Sequence, residues 1–422
     1  MTITRRIFLK NGALAIVATT AVPGFLRRAA FAAETAAGKK RLVVFFQRGA
    51  ADGLDIVVPH GEAAYYAMRP SIAIPRPGGN ESALDLDGFF GLHPSMSSLK
   101  PLWEQKHLAI VHAAGSPDTT RSHFDAQDYM ESGTPGVKAT EDGWLNRALK
   151  APSGAEAGKE PSPFRAVALG TSLPRALAGT EPAVALNNIN EFGIGGRNPA
   201  AAAAPIASTF EAMYAQSVDT VLHGAGNETF EAVKMLKSAD PARYTPARGA
   251  NYPNGQFGQG LRQVAQLMKA DLGVEGVFTD IGGWDHHTNE GGSQGQLSNL
   301  LRQFSQSIAA FWTDLGDLGA DTVLVTMSEF GRTARENGNR GTDHGHANVM
   351  FVLGGPVKGG KVYGRWPGLD SSQLYEGRDL ALTTDFRRVL GEAIYRHYGN
   401  KDLDTVFPGF ENSTQKFLNL MG

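Results

Sequence analysis

The chain has 422 residues, of which 42% are hydrophobic, 9% aromatic and 19% charged, an ordinary globular composition that suffices for one large domain or two of common size. A formal net charge of −2 argues against broad binding of nucleic acid or of anionic membranes. The absence of cysteine excludes disulfides, thiolate metal sites and cysteine nucleophiles.

Residues 1–32 are predicted to be a twin-arginine signal peptide. The export pattern Thr-Arg-Arg-Ile-Phe-Leu-Lys occupies positions 4–10, an apolar run extends from Ala13 to Val22, and Ala-Phe-Ala at 30–32 provides a cleavage site. The apolar run is too short to remain as a membrane anchor. We therefore expect a protein that the twin-arginine machinery exports in folded form, and that is periplasmic or secreted with no membrane anchor after cleavage.

Patterns of buried strands alternate with helical patterns along the rest of the chain. Continuous apolar runs predict strands at 41–47, 108–111, 164–169, 183–186, 276–279, 322–327 and 349–353. Apolar residues at three- and four-residue spacing predict helices at 95–103, 124–131, 294–318 and 386–398. Strands that are apolar throughout and alternate with helices are typical of an α/β fold with a mostly parallel sheet flanked by helices.

Residues 195–272 differ from this pattern. An alanine run at 200–204 is typical of a linker, and the following sequence is mostly helical, with a break rich in proline and glycine at 241–256. We interpret this stretch as a helical insertion within a single domain that spans residues 33–422.

Four polar clusters each follow a predicted strand. Because the carboxyl ends of parallel strands meet at one edge of a sheet, we expect all four to converge there. The clusters are Asp52 in the turn after the first strand, residues 119–125 with Arg121 and Ser122, the triplet Asp285-His286-His287, and Glu329 with the later residues Asp343, His344 and His346.

Each cluster also has a purely structural interpretation. Asp52 fits an ordinary turn, and Ser122 fits a helix N-cap, which is compatible with a chemical role. The segments 285–287 and 343–346 fit solvated loops. Glu329 directly after a buried strand is harder to explain as surface decoration, and it favours a functional interpretation.

Carboxylates combined with histidines suggest a divalent metal, either one ion or two. This ligand type suits zinc, manganese or iron, whereas calcium sites use oxygen alone. Two such metals would clamp a phosphoryl or sulfuryl group for in-line displacement. In that chemistry Ser122 would be the attacking group, and Arg121 at the start of the helix would hold the anion.

The motifs together resemble those of domain-of-unknown-function family 1501, a family of bacterial proteins usually exported by the twin-arginine route. The resemblance extends from about residue 41 to the C-terminus. The family has no settled activity, so membership names no substrate. The segments that carry the resemblance are 45–54, 121–124, 283–287, 328–333 and 343–346.

This family is in turn distantly similar to the alkaline phosphatase and sulfatase superfamily. That similarity implies an alkaline-phosphatase-like α/β core, a site for two metals and a small anionic ester substrate. It implies Ser122 as nucleophile, and it favours His287 over His286 as a ligand. The final histidine ligand is either His344 or His346. The candidate metal ligands are then Asp52, Asp285, His287, Glu329, Asp343, His344 and His346.

The sequence departs from the superfamily at Glu329-Phe330, where an Asp-His pair would be expected. The second metal then lacks a ligand unless His344 or His123 replaces it. A hydrolase of phosphate or sulfate esters is the expected function. The alternatives are a non-catalytic or one-metal binding or assembly protein of the cell envelope that keeps the fold, and a structural partner protein without metal.

Overall fold

The computed structural model describes residues 39–150, 162–186 and 244–422, with the isolated positions 9–10, 13–14, 189 and 235. The predicted signal peptide, including its cleavage site, lies outside these ranges except for two strands of two residues that pair antiparallel. Most of the predicted insertion at 195–272 also lies outside them. Among the described residues, none of the helices is long and apolar enough to span a membrane.

The strands are numbered in chain order. They are β1 Leu9–Lys10, β2 Ala13–Leu14, β3 Arg41–Gln47, β4 Val57–Val58, β5 Leu84–Asp85, β6 Gly91–Leu92, β7 Leu108–Gly115, β8 Ala166–Leu169, β9 Ala183–Leu186, β10 Gly276–Ile281, β11 Thr322–Met327, β12 Asn348–Gly354, β13 Lys361–Tyr363 and β14 Thr384–Asp385. The seven predicted strands are all present. Of the short strands that the sequence did not indicate, β4, β5 and β6 form a separate three-stranded sheet, and β13 and β14 pair with β7 of the main sheet.

The helices are numbered in the same way. They are α1 Gly53–Ile56, α2 Ala63–Met68, α3 Lys100–Glu104, α4 His123–Ser132, α5 Trp144–Leu149, α6 Gln256–Lys269, α7 Gln296–Leu315, α8 Phe386–Glu392 and α9 Leu403–Val406. Shorter 3-10 segments are Pro94–Leu99, Arg175–Leu177, Gly316–Asp321 and Thr414–Lys416, and Ala393–Tyr398 is a π-helical turn that continues α8.

The main sheet has nine strands in the order β13-β7-β12-β11-β3-β10-β8-β9, with β14 paired to β7. The central strand β3 pairs in parallel with both β10 and β11. Among the described strands of this sheet, only β12 runs against the others. The connection from β11 to β12, which the structure describes in full, contains no helix that could carry the chain across a face of the sheet, and β12 runs antiparallel to β11. The predicted α/β fold with a mostly parallel sheet is confirmed.

The sheet is buried on both faces because alternate side chains of its strands point to opposite sides. Val43 and Phe45 of β3 belong to the hydrophobic cluster beneath α6 and α7. Leu42, Val44 and Phe46 belong to the cluster on the other face, against α5 and α8. This explains why the strand is apolar throughout rather than alternating.

Helix α6 occupies the C-terminal end of the predicted insertion but is part of the core. The ring of Phe257 in this helix lies 5.3 Å from the ring of Phe45 and stacks at 5.6 Å on Phe304 of α7. Residues 256–269 therefore belong to the helical layer on the sheet.

The carboxyl ends of β3, β7, β10 and β11 and the amino end of β12 lie at one edge of the sheet. The four predicted polar clusters therefore emerge at the same edge.

Candidate metal centre

The loops at this edge are tied together by backbone hydrogen bonds. Residues 331–333 run antiparallel to residues 343–346, and the amide of Gly345 donates to the facing segment at 2.8 Å. Position 345 must be glycine, because a Cβ there would lie 2.4 Å from the opposite backbone. The amide of Thr342 donates to the carbonyl of His286 at 3.0 Å. This contact joins the paired segments to the loop that follows β10.

Three imidazoles and one carboxylate meet where these loops join. The Nε2 atom of His344 lies 3.0 Å from Nε2 of His123 and 3.0 Å from Nε2 of His287. One carboxylate oxygen of Asp285 lies 3.0 Å from Nε2 of His287 and 3.2 Å from Nε2 of His344. Its other oxygen lies 3.4 Å from Nε2 of His123. The four side chains thus direct their coordinating atoms at one small volume.

The Nδ1 atom of each imidazole is held by a hydrogen-bond acceptor. The pairs are His123 with Glu329 at 2.8 Å, His287 with Asp343 at 2.8 Å, and His344 with the backbone carbonyl of Arg121 at 2.9 Å. Carboxylate and carbonyl oxygens accept hydrogen bonds. Each neutral imidazole therefore carries its hydrogen on Nδ1 and has a free lone pair on Nε2. The three Nε2 atoms that converge therefore present lone pairs to the same point. Histidines that bind a metal adopt this arrangement, with the other ring nitrogen bonded to an acceptor.

Asp285 is held by a buried arginine. A guanidinium nitrogen of Arg332 donates to Asp285 at 2.6 Å, and the Arg332 side chain is fully buried. Burial alone would raise the pKa of Asp285, but the hydrogen bond and positive charge of Arg332 outweigh it and hold the pKa below its usual value. Asp285 therefore stays ionised and available to a cation.

Two predicted ligands lie one layer behind the imidazoles. Glu329 is fully buried and accepts hydrogen bonds from His123, from Gln127 and from the amide of Gly49, each at 2.8 Å. Burial would raise the pKa of Glu329, but these donors lower it below its usual value. Asp343 holds His287 from the solvent side in the same manner. Both carboxylates orient a histidine and make no contact with the convergence point through these bonds.

The donor set fits a divalent metal of the zinc type. Ligand atoms of His123, Asp285 and His344 all lie within 4.8 Å of one another, and His287 approaches two of these three. Imidazole nitrogens with one carboxylate suit zinc, manganese or iron. The side chains of His287 and Asp285 are each 42% exposed, so the centre is open to solvent on one side. With three imidazoles and one carboxylate, a water ligand would need a metal that takes a fifth position.

Asp52 lies in a second cluster rather than in this centre. Its carboxylate receives both terminal nitrogens of Arg69, at 2.5 and 3.1 Å. Asp55 lies 2.7 Å from the same guanidinium and accepts a hydrogen bond from Tyr65 at 2.6 Å. The third acid of the cluster is Glu290, and ligand atoms of the three carboxylates lie within 4.8 Å of one another.

Burial dominates the electrostatics of this second cluster. Asp52, Asp55, Arg69 and Glu290 are each at most 1% exposed. Burial, reinforced by the neighbouring carboxylates, raises the pKa of Glu290 well above its usual value and raises the pKa of Asp55 to about 7.

The side chains of the remaining predicted residues have other partners. His346 stacks on the ring of Tyr375 at 4.5 Å, although it is only two positions from His344. Ser122 is the N-cap of α4, where its hydroxyl accepts from the amide of Asp125 at 3.5 Å. The guanidinium of Arg121 pairs with Glu376 at 2.7 Å and with Asp379 at 2.9 Å. Neither Ser122 nor Arg121 presents a free catalytic group at the metal centre in these contacts.

Several residues of the two clusters were not predicted as ligands or partners. His123 was expected only as a possible replacement ligand for a second metal, although its place at the first turn of α4, directly after Ser122, was a signal for it. Glu290 lies within the glycine-bounded loop of 282–292, and Asp55 lies one helical turn after Asp52. Arg69 gave no signal in the sequence, and Arg332 was noted only as part of the segment 328–333, because the fold brings the partners of both arginines to them.

Comparison with known proteins gives a family but no activity. The family model described as "Protein of unknown function (DUF1501)" matches residues 39–406, a range that includes both clusters. Neither the curated proteins nor the solved structures contain a match to this chain. The similarity to alkaline phosphatases and sulfatases therefore stays an expectation from the sequence.

Proposed function

Because the chain belongs to the DUF1501 family of proteins of unknown function, which supplies no reaction, we propose its function from the metal centre itself: an exported, metal-dependent hydrolase. The observation that carries the proposal is the convergence of three Nε2 lone pairs and the carboxylate of Asp285 on one solvent-open point. Uncompensated lone pairs 3.0 Å apart repel each other, and a divalent cation between them removes the repulsion.

The residues of the centre divide into those that bind and those that orient. His123, His287, His344 and Asp285 would hold the metal. Glu329 and Asp343 fix the tautomer and ring direction of two of the histidines. A divalent metal at such a site supplies Lewis acidity and lowers the pKa of water toward neutrality.

The proposed substrates are small phosphate or sulfate esters. This class rests on the resemblance to alkaline phosphatases and sulfatases, and on the position of helix α4, whose amino end carries the ligand His123. The positive end of a helix favours an anion. The guanidinium of Arg121 contributes to anion binding only if it leaves Glu376 and Asp379, so we assign orientation of the anion first to the helix terminus.

Export through the twin-arginine route is part of the same proposal. The route carries folded proteins, so the metal would be bound before the chain leaves the cytoplasm. The support is the sequence of residues 1–32.

A second candidate is a non-catalytic, one-metal binding protein of the cell envelope. This candidate is favoured because Asp52 pairs with Arg69 and does not join the histidine centre. The centre then lacks a carboxylate that hydrolysis with two metals would use. Ser122 as a helix cap fits this candidate as well as it fits the hydrolase.

Metal content and ester hydrolysis, measured on the same samples, test the proposal. We expect the exported protein to contain zinc, manganese or iron and to hydrolyse members of a panel of aryl phosphates and aryl sulfates. His344→Gln should lose the metal and the activity together, and His346→Gln is the matched control that should keep both. If the protein binds metal but hydrolyses none of the esters, the second candidate, a non-catalytic metal-binding protein, is favoured. Full metal content and activity in His344→Gln would overturn the assignment of the centre.

A further inference from the structure

The second cluster places three carboxyl groups beside a single guanidinium in the interior of the protein. Asp52, Asp55 and Glu290 bear three formal negative charges when ionised, and Arg69 offers one positive charge, which leaves a net charge of −2. All four side chains are at most 1% exposed, so water does not stabilise this excess. Burying unpaired charge is costly, and native proteins place a counter-ion or a proton where it occurs.

Several polar atoms of this region are buried without a hydrogen-bond partner. One oxygen of Asp55 is bonded to Tyr65 and Arg69, while its other oxygen, Oδ2, has no partner among the described residues. Glu290 accepts from the hydroxyl of Thr342 through Oε2 at 2.8 Å, while its Oε1 has no partner in the part of the chain that the structure describes. Two orphan oxygens from two acids of one cluster form an independent sign of a missing ligand, because nearly all buried polar groups in native proteins are satisfied.

A third orphan atom lies nearby on the loop that carries the histidine centre. Among the described residues Nδ1 of His286 is buried without a partner, and the carbonyl of His286 accepts from the amide of Thr342, whose hydroxyl donates to Glu290. The imidazole that does not join the histidine centre thus belongs to the surroundings of the second cluster.

We propose that Asp52, Asp55 and Glu290 form a buried site for a hard divalent cation of the calcium or manganese class. One such ion would neutralise the net charge of −2, and the two orphan oxygens would become ligands. Carboxylate oxygens are the donors that hard cations prefer. The guanidinium of Arg69 occupies one side of Asp52 and Asp55, so the cation binds on the side that faces Glu290.

This site is separate from the histidine centre but joined to it by a chain of hydrogen bonds. The hydroxyl of Thr342 donates to Glu290 and accepts from Arg332 at 3.1 Å, and Arg332 donates to Asp285 at 2.6 Å. A cation on Glu290 would hold the loop of residues 282–292 against α1. We infer a structural role for this ion, which keeps Asp285 and His287 in position.

Thermal unfolding of the mature protein after treatment with a chelator provides the test. We expect CaCl2 to raise the Tm of the wild type by several degrees, and MnCl2, which suits the histidine centre as well, to do the same in His344→Gln. Glu290→Gln should abolish this rise, whereas Glu104→Gln, which changes an exposed acid of α3, should keep it. His344→Gln should also keep it, so failure of the histidine centre and failure of this site are distinguishable.

A second measurement covers the case in which Glu290→Gln does not fold. Terbium is a hard-cation probe that takes oxygen ligands, and Tyr65 next to Asp55 can sensitise its luminescence. We expect terbium emission from the wild type that CaCl2 displaces, and a weaker emission from Tyr65→Phe. The proposal is overturned if neither salt changes the Tm and no terbium emission develops. It is equally overturned if Glu290→Gln is more stable than the wild type in the presence of CaCl2, because the cluster would then hold a proton instead of a metal.

Discussion

His123 and His344 direct their Nε2 atoms at each other across 3.0 Å, while the Nδ1 atom of each is bound to an acceptor. In its neutral form each imidazole therefore turns a lone pair toward the same point. The hydrogen bond to Glu329 raises the pKa of His123, so a proton on its Nε2 atom competes with a metal ion, whereas burial lowers the pKa of His344. Such a pair is stable when a cation lies between the two nitrogens, and this relationship is the basis of the proposed metal centre.

The carboxylate behind His123 should matter more for metal affinity than the one behind His287. Glu329 is fully buried, so water cannot replace its hydrogen bond to His123 when the carboxylate is removed. The side chain of Asp343 is 52% exposed, so water can take its place beside His287. Loss of an outer carboxylate of this type typically costs about 10–100-fold in metal affinity. We expect Glu329→Gln to fall in this range and Asp343→Asn to lose less. Competition with a chromophoric chelator measures both constants, and equal losses would contradict the assigned roles.

Removal of Arg69 should strongly destabilise the fold. The guanidinium is fully buried between Asp52 and Asp55, and its removal leaves two buried carboxylates without their partner. Breaking a buried pair in this way costs about 3–5 kcal/mol in the free energy of unfolding. We expect Arg69→Met to show a loss of this size in urea unfolding. The control is Arg76→Met, since Arg76 is exposed over the ring of Tyr66 and its loss should cost about 1 kcal/mol or less. Equal effects of the two variants would contradict the buried network.

Acid should destabilise the protein through three buried histidines. Burial lowers the pKa of His93, His112 and His397 to about 4. In the unfolded chain each takes up its proton near pH 6.5, so acid favours the unfolded state between about pH 6.5 and 4. Each neutral histidine makes its full contribution to the free energy of unfolding above pH 6.5. Up to about 3 kcal/mol of this contribution is lost per histidine as the pH falls to 4.

His112→Gln isolates one of these groups. His112 has its Nε2 atom 2.9 Å from the carbonyl of Val57, and its Nδ1 atom accepts from the amide of Ala113 at 2.9 Å. We expect the variant to take up about one proton fewer on unfolding across this pH range. The slope of unfolding free energy against pH measures this number, and an unchanged slope would show that His112 titrates normally in the folded protein.

Export should depend on the arginine pair at positions 5 and 6. Replacing Arg5 and Arg6 by lysine keeps the charge but removes the twin-arginine motif. We expect the variant to accumulate in the cytoplasm with residues 1–32 attached, whereas the wild type should be found outside it with Ala33 as its first residue. Fractionation followed by N-terminal sequencing distinguishes the two, and equal export of both would remove the twin-arginine route from the account.

The sheet could be predicted because each central strand is an uninterrupted apolar run. Such a run indicates a strand covered on both faces, as Arg41–Gln47 and Thr322–Met327 are. The parallel order also places the polar residues after these strands at one edge, so the convergence of the loops follows from the topology. The antiparallel direction of Asn348–Gly354 had no local signal, because direction depends on the length and content of the preceding connection.

The choice between neighbouring side chains could not be made from the sequence. His286 and His287 are adjacent, and only the hydrogen bond to Asp343 decides which of them faces the metal centre. His344 and His346 were expected to share a face, but His346 turns instead to Tyr375. Asp52 was likewise expected to bind the metal, but it pairs with Arg69. This arginine lies 17 positions away and reaches Asp52 through the tertiary fold.

Anomalous X-ray diffraction from crystals of zinc-loaded protein tests the central claim most directly. The account predicts an anomalous peak within coordination distance of Nε2 of His123, His287 and His344 and of the carboxylate of Asp285, with Glu329 bonded to Nδ1 of His123 and not to the metal. A peak at His346, or no peak at this edge of the sheet, would contradict it.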